Sequence, residues 1–306
     1  MSEPPTFGWL TRYAPLVDDL SAFLEAAARP LPRVIWSNPL RAPVAETEAE
    51  LRAVFPALQP VPWRAHAWRL PADARFAGSR LHLAGRFYGQ EEAAIFAGDL
   101  VDARPGERVA DLCAAPGGKA AQIAVAMRDR GTLVANDRKV GRLNALRRTL
   151  DRLGVTCGVV TSGDALRMVA PEGWFDRVLA DVPCTCEGTT RKARSRTEPT
   201  DERYRASVVQ IQTAILRKAL RLVRPGGTVI YATCTYAPEE NEGVLHAIHP
   251  SLAAIEPIDV PAGLRVAPGV GAWAGRSYRA DVVNAARLWP HHNDTGGFFV
   301  ARLRRL

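Results

Sequence analysis

No run of eighteen apolar residues occurs in the 306-residue chain, which argues against a helical membrane span. The opening residues, Met1-Ser-Glu-Pro-Pro5, have neither the basic start nor the apolar stretch of a secretory signal, so a cytoplasmic protein is expected. Cysteine is scarce. Five residues at irregular spacing do not make a disulfide framework. Two phosphate-binding signatures are missing as well, GxGxxG and GxxxxGK[ST], which disfavours a dinucleotide held by its pyrophosphate and a P-loop nucleotide. Charge is not balanced: 40 Lys and Arg face 32 Asp and Glu, a net +8. Such an excess fits a polyanionic partner such as nucleic acid. A GC-rich coding sequence, which favours arginine, would produce it too, so charge alone leaves the partner open.

What is present centres on Val109-Ala-Asp-Leu-Cys-Ala-Ala-Pro-Gly-Gly-Lys119. Val109 and Leu112 suit a buried strand. Ala114, Ala115, Gly117 and Gly118 carry almost no side chain, so a ligand can lie against their backbone. The amides of a helix from Lys119 to about residue 130 then point at it. Strand, tight loop and helix form the nucleotide corner of a doubly wound α/β domain.

Ahead of this corner the sequence predicts a small α+β unit of residues 1–82. Trp9, Leu10, Tyr13, Leu16, Val17, Leu20, Phe23 and Leu24 have the spacing of one amphipathic helix over residues 8–28. Strands are expected at 33–37 and 65–70, with a short helix at 46–54. Trp63 and Trp68 read as core rather than as stacking platforms for bases. From residue 83 on, strands alternate with helices: strands at 132–136, 155–160, 177–181 and 228–232, helices at 90–102, 138–153 and 204–223. This predicts a parallel sheet covered on both faces, closed by a terminal antiparallel hairpin near 285–289 and 297–302. Pro225-Gly-Gly227 is expected to turn into the 228–232 strand.

Ligands bind at the carboxyl ends of parallel strands, and the residues there are informative. They are the glycine loop, Asp137, Asp164, Asp181 with Cys184, and Cys234. An acid some twenty residues past the loop suits a ribose diol. Three aspartates in register with one glycine loop favour a nucleoside site. Pro183-Cys184 and Thr233-Cys234 should end adjacent strands, so both thiols should reach one cleft. Cys113 and Cys157 can be inert packing. Zinc is disfavoured, because Cys184 and Cys186 form CxC with no histidine nearby, and a redox pair would prefer CxxC.

Several stretches together resemble the Nop/Sun family of S-adenosylmethionine-dependent RNA cytosine-5 methyltransferases. They are Phe87-Tyr-Gly-Gln90, Asp111 to Lys119, Ala135-Asn-Asp137, Asp181-Val-Pro-Cys184 and Glu187-Gly-Thr-Thr-Arg-Lys192. The likeness continues with Arg224-Pro-Gly-Gly227, Tyr231 to Glu242, Arg287-Leu-Trp-Pro290 and Gly296-Gly-Phe-Phe-Val-Ala301. The order holds from residue 85 to 302. Cys186 departs from the pattern, standing where the family usually has a small residue such as glycine.

The resemblance implies a Rossmann-like class I methyltransferase sheet. Cytosine carbon 5 is too weak a nucleophile to attack a methylsulfonium directly, so a thiolate must first add at carbon 6. By the resemblance Cys234 is that nucleophile, and Cys184 assists release of the methylated product. Asp181 would bond the base edge, which requires it to hold a proton at some stage. Lys119 would lower the thiol pKa or hold the Asp181 carboxylate. Cys113, Ala114, Ala115, Pro116, Gly117, Gly118 and Lys119 would hold the methionine part of the cofactor, and Asp137 the ribose. Arg142 would help, Asp164 would contact the adenine, and Asp181 would lie near the sulfonium. Arg191, Lys192, Arg194 and Arg196 would grip RNA phosphates, and the target base would be flipped or unpaired. Ribosomal RNA of the small subunit is the expected substrate, from the Arg287-Leu-Trp-Pro-His-His ending and the compact size, with transfer RNA the alternative. A monomer without metal is expected. A non-catalytic RNA-binding factor is disfavoured by the full set of thiols and aspartates.

Overall fold

A computed structural model describes residues 7–71, 73–192 and 198–306. The expected 8–28 helix is two elements, a 3-10 helix at Gly8–Leu16 and α1 at Leu20–Ala28. Pro15 has no amide hydrogen to continue a helix. The Asp19 carboxylate accepts from the Ala22 amide at 2.9 Å and starts a new one. The apolar face predicted for the segment survives the break, since Leu10, Tyr13, Phe23 and Ala27 pack with Tyr236 and Trp289.

β1 (Arg33–Ser37) lies inside a four-stranded antiparallel sheet with α2 (Val44–Val54) beside it. One neighbour of β1 is β2 (Ala67–Leu70), which pairs outward with Gln59–Pro60. The other is β3 (Phe87–Gly89). The small sheet therefore takes its last strand from beyond the boundary expected at residue 82. Phe87 is buried and joins Ile35 and Trp68 in that core, so its burial belongs to the first sheet. Trp63 and Trp68 are both buried, and the Trp63 indole donates to Glu92 at 2.7 Å.

After α3 (Glu92–Asp99) come β4 (Arg108–Asp111), α4 (Gly118–Ala126), β5 (Thr132–Asp137), α5 (Val140–Leu153), β6 (Gly158–Ser162), β7 (Phe175–Asp181), α6 (Glu202–Leu222) and β8 (Val223–Thr233). The five strands are parallel, in the order β6-β5-β4-β7-β8. Winding reverses between β4 and β7, which opens a crevice at their carboxyl ends. β9 (Ala253–Glu256), β10 (Ala286–Leu288), β11 (Phe298–Arg305) and a two-residue edge strand at Ala267–Pro268, paired with β10, complete the sheet. β11 runs antiparallel to β8, and β10 and β9 both pair with β11. The sheet has the Rossmann-like order expected from the sequence.

Arg224-Pro-Gly-Gly227 is not a turn ahead of β8 but a bulge within it. The register against β7 jumps from Phe175 opposite Val223 to Arg177 opposite Thr228. Pro225 has no amide hydrogen to give the ladder, so the chain bows out at that point. Apolar layers cover both faces. Val109, Ile123, Leu133, Leu146 and Leu150 belong to one, and Val178, Leu216, Leu220, Tyr231 and Phe299 to the other.

The terminal hairpin is anchored by charge. Arg287 donates to both oxygens of Glu242 and to the Tyr236 carbonyl, with side-chain exposures of 3% and 0% for the ion pair. Arg287→Ala strands a buried carboxylate, and urea unfolding is expected to show a loss of about 3–5 kcal/mol. Arg304→Ala, which removes the half-exposed partner of Glu256, should cost less than about 1 kcal/mol. Equal losses would contradict this assignment.

Candidate active site

The loop after β4 is held shut by Asp137 at the end of β5. Its carboxylate accepts from the Ala115 amide at 3.2 Å and the Lys139 amide at 2.9 Å, and lies 3.2 Å from Arg142. Arg142 also donates to the Ala115 carbonyl. Asn136 adds a bond from its side chain to the Leu112 carbonyl, and its own carbonyl receives the Ala114 amide at 2.7 Å. Gly117 caps α4 with φ of 107°, a left-handed conformation that a side chain would strain. The first amides of α4 are thereby aimed past the loop.

Two cavities flank this loop. One, of about 280 Å³, has walls from Leu112, Cys113, Ala165, Pro183, Tyr204, Val208, Ile211 and Ile215, with Asp137, Asp164 and Arg142 at its edge. The Asp164 carboxylate spends one oxygen on the Leu166 amide at 3.0 Å. Apolar walls with carboxylates around them suit a nucleoside, whose base is flat and whose polar groups lie at its rim. The other, of about 320 Å³, is lined by Tyr88, Gln90, Asp111, Gly118, Lys119, Asp181, Lys192, Cys234 and Phe298. Arg142, Ala114 and Ala115 border it too.

Lys119 resolves in favour of one of its two expected contacts. Its ammonium lies 2.8 Å from Asp181 and sits above the Phe298 ring. Nearby carboxylates hold the ammonium charged despite its burial.

The thiols converge. Cys184 Sγ is 3.4 Å from Cys234 Sγ and 3.8 Å from Cys186 Sγ. Hydrogen bonding to Cys186 and Cys234, with burial, pushes the Cys184 thiol up. For Cys234 the bond with Cys184 pulls down, but Cys186, burial and Asp181 together push it well above an ordinary thiol. Both sulfurs are therefore protonated at rest. Cys157 is driven to about 12, mainly by burial, and Cys113 still higher for the same reason, which fits inert packing.

Arg191 corrects an expectation. Its guanidinium donates to the carbonyls of Arg29, Pro30 and Thr295 and to Asp294, with 1% of the side chain exposed. Four of its five N–H donors are taken by protein oxygens, so it braces the loop and does not face a phosphate. Lys192 is exposed and lines the second cavity. Arg194 and Arg196 lie outside the described residues.

Sequence reasoning gave no role to Asp111, though the motif contains it. It is buried, lines the cavity beside Asp181, and accepts from the Cys113 amide at 3.3 Å. Tyr88, Gln90 and Phe298 stand in the matching stretches without an expected role, and the wall that α6 supplies through Tyr204, Val208 and Ile211 has no signal in the sequence beyond the helix itself.

A family model described as 16S rRNA methyltransferase RsmB/F matches residues 99–304. The chain belongs to this family. It is 33% identical over 299 residues to a tRNA (cytosine(49)-C(5))-methyltransferase of Pyrococcus abyssi, covering 96% of this chain and 94% of that protein. It is 31% identical to a ribosomal RNA small subunit methyltransferase F of Erwinia tasmaniensis, covering 99% of this chain but 63% of that protein. A solved methyltransferase homologue of Pyrococcus horikoshii superimposes with a TM-score of 0.82 at 28% identity, with both chains covered in full. Compactness, offered above as a sign of a ribosomal substrate, does not separate the two: the relative of matching length is the tRNA enzyme, while the chain spans about three fifths of the small-subunit methyltransferase. The family's enzymes are RNA methyltransferases of the kind that use S-adenosylmethionine.

Burial, reinforced by the neighbouring Asp181, raises the Asp111 carboxyl to about 7. A carboxyl that is harder to ionise in the folded protein binds its proton more tightly there. The stability it contributes is full below the unfolded value near 4 and is lost as pH rises through about 7. Asp111→Asn should remove this loss, flattening urea stability between pH 5 and 8 by roughly 3 kcal/mol relative to the parent. Parallel pH profiles would contradict it.

Proposed function

We propose that the protein is an S-adenosylmethionine-dependent RNA cytosine-5 methyltransferase acting on small-subunit ribosomal RNA. The observation that carries the methyl-transfer reading is the pair of sulfurs, Cys184 and Cys234, 3.4 Å apart beside Asp181 and Lys119, and the matching family's description as a 16S rRNA methyltransferase supports the ribosomal substrate. In outline, Cys234 releases its proton to solvent and its sulfur bonds to carbon 6 of a flipped cytosine. The ring electrons move toward carbon 5, which becomes the nucleophile. The cofactor supplies an electrophilic methyl group. Cys184, after releasing its own proton to solvent, takes the carbon 5 proton as a thiolate, the C6–S bond breaks, and its electrons return to Cys234. Asp181, fixed by Lys119, bonds the polar edge of the base.

Cofactor binding falls to the first cavity and the loop. The backbone from Cys113 to Gly118 and Lys119 would face the methionine part, and Asp137 and Asp164 the ribose and adenine. The residues present suit such a guest: apolar walls from Leu112, Pro183, Val208 and Ile211 for a base, carboxylates for hydroxyl and amino donors. Lys192 contributes one phosphate contact at the cavity mouth. A transfer RNA substrate is the second reading, favoured by the Pyrococcus abyssi relative matched along 94% of its length.

Cys234→Ala should lower methyl transfer by at least about 10³-fold while cofactor binding survives. Turnover retained near the parent's would remove Cys234 from the nucleophile's role. Cys184→Ala should instead leave RNA covalently attached, visible as a slowly migrating band on a denaturing gel, and a clean lane would remove its release role. Asp137→Ala should weaken cofactor binding roughly 10- to 100-fold, from lost buried hydrogen bonds, and leave RNA affinity unchanged. Bisulfite mapping of RNA from cells lacking the gene decides between the ribosomal and transfer RNA readings.

A further inference from the structure

Cys186 brings a third sulfur to the two-thiol cleft. Its backbone has φ of 60°, the left-handed region that residues other than glycine seldom occupy. This accounts for the small residue expected at that point in the family pattern. A side chain is carried there nonetheless, and its Sγ lies 3.8 Å from that of Cys184. With Cys184 and Cys234 at 3.4 Å, all three sulfurs fall within 4.8 Å of one another.

Zinc bound to thiolates at about 2.3 Å in tetrahedral geometry requires sulfurs about 3.8 Å apart. The trio approaches that triangle before any ion is placed. The sequence disfavours zinc because Cys184 and Cys186 form CxC with no histidine nearby. The pairing of β7 with β8 adds the Cys234 sulfur to that pair from fifty residues away. An all-sulfur set selects thiophilic ions over magnesium or calcium, and three ligands leave a fourth position for water on the cleft side. Lys119 interacts electrostatically with Cys234 and offsets the single negative charge of a trithiolate complex of a divalent ion.

We propose that Cys184, Cys186 and Cys234 form a binding site for a thiophilic divalent cation of the zinc class, which occupies the nucleophile and holds the enzyme off. Binding replaces three S–H bonds by three metal–sulfur bonds and releases three protons, with no change in oxidation state. The cation's inhibitory effect rests on the methyltransferase reading, whereas its binding does not.

The test uses the full chain, reduced with a phosphine, which does not compete as a thiol would. Cobalt(II) titration should give thiolate charge-transfer absorption and tetrahedral ligand-field bands saturating at one ion per chain, displaced by zinc. Cys186→Ala should weaken zinc binding by roughly 100-fold, the loss of one thiolate ligand, while Cys157→Ala leaves it unchanged. In parallel, zinc should inhibit methyl transfer by the parent with full recovery on chelation, and Cys186→Ala should require correspondingly more zinc. Absence of the charge-transfer band, or a band of equal affinity in Cys186→Ala, overturns the site. Normal binding without inhibition overturns the proposed blocking of the nucleophile and leaves the methyl transfer reading to the tests on Cys234.

Discussion

The parallel pairing of β7 with β8, which sets Asp181 opposite Ala232, is the constraint on which the site depends. Cys184 follows three residues after one and Cys234 two after the other, so the register of one ladder decides whether the sulfurs meet. Slipping it by a single residue would turn one thiol toward the opposite face of the sheet. Two further ties hold the strand ends together. The residue after each cysteine is a threonine, and the hydroxyls of Thr185 and Thr235 bond each other at 2.9 Å. Glu240 accepts from the Thr185 amide, the Thr185 hydroxyl and Gln212 of α6, while Gln212 also reaches the Pro183 carbonyl. Thr185, Gln212, Thr235 and Glu240 are all buried, and these bonds tie the two strand ends to α6.

The N-terminal elements are part of that scaffold. Tyr13 of the first 3-10 helix and Arg205 of α6 both donate to Glu187, a buried carboxylate immediately after Cys186. Arg191 reaches back to the carbonyls that end α1. The segment from Cys184 to Lys192 is thereby clamped between the first thirty residues, α6 and the terminal hairpin. Gly188 shows how tight the clamp is: a Cβ there would sit 2.3 Å from the Gly297 carbonyl oxygen. The N-terminal elements and the catalytic loop are therefore joined by packed contacts rather than by a flexible linker.

Strand-end chemistry was legible in the sequence because a parallel sheet places every carboxyl end along one edge. Asp137, Asp164, Asp181, Cys184 and Cys234 needed only the alternation of strands and helices to be gathered there. Arg191 was misread for the opposite reason. Its partners are carbonyls at residues 29, 30 and 295 and the carboxylate of Asp294, and backbone carbonyls leave no trace in a sequence. A cation in a basic run looks the same whether it faces solvent or a buried oxygen. Asp111 was passed over because the motif containing it was read for its small residues, and its role comes from Asp181 on a strand that neighbours it only in the folded chain. The Pro225 bulge and the four-residue β9 were hidden because each depends on where a neighbouring strand happens to end.

Closeness of the two sulfurs has a consequence for the order of events. Two thiols 3.4 Å apart cannot both ionise cheaply, so the pair carries at most one negative charge and titrates as a unit. At rest hydrogen bonding to Cys186 and burial keep both protons on, which protects the cleft from adventitious alkylation and oxidation. On the proposed mechanism the Cys234 sulfur, once bonded to carbon, is an uncharged thioether. Cys184 can then ionise without a second thiolate beside it, which it could not do while Cys234 was a free thiolate. On that mechanism, the one contact both restrains the nucleophile and places the thiol that ends the reaction.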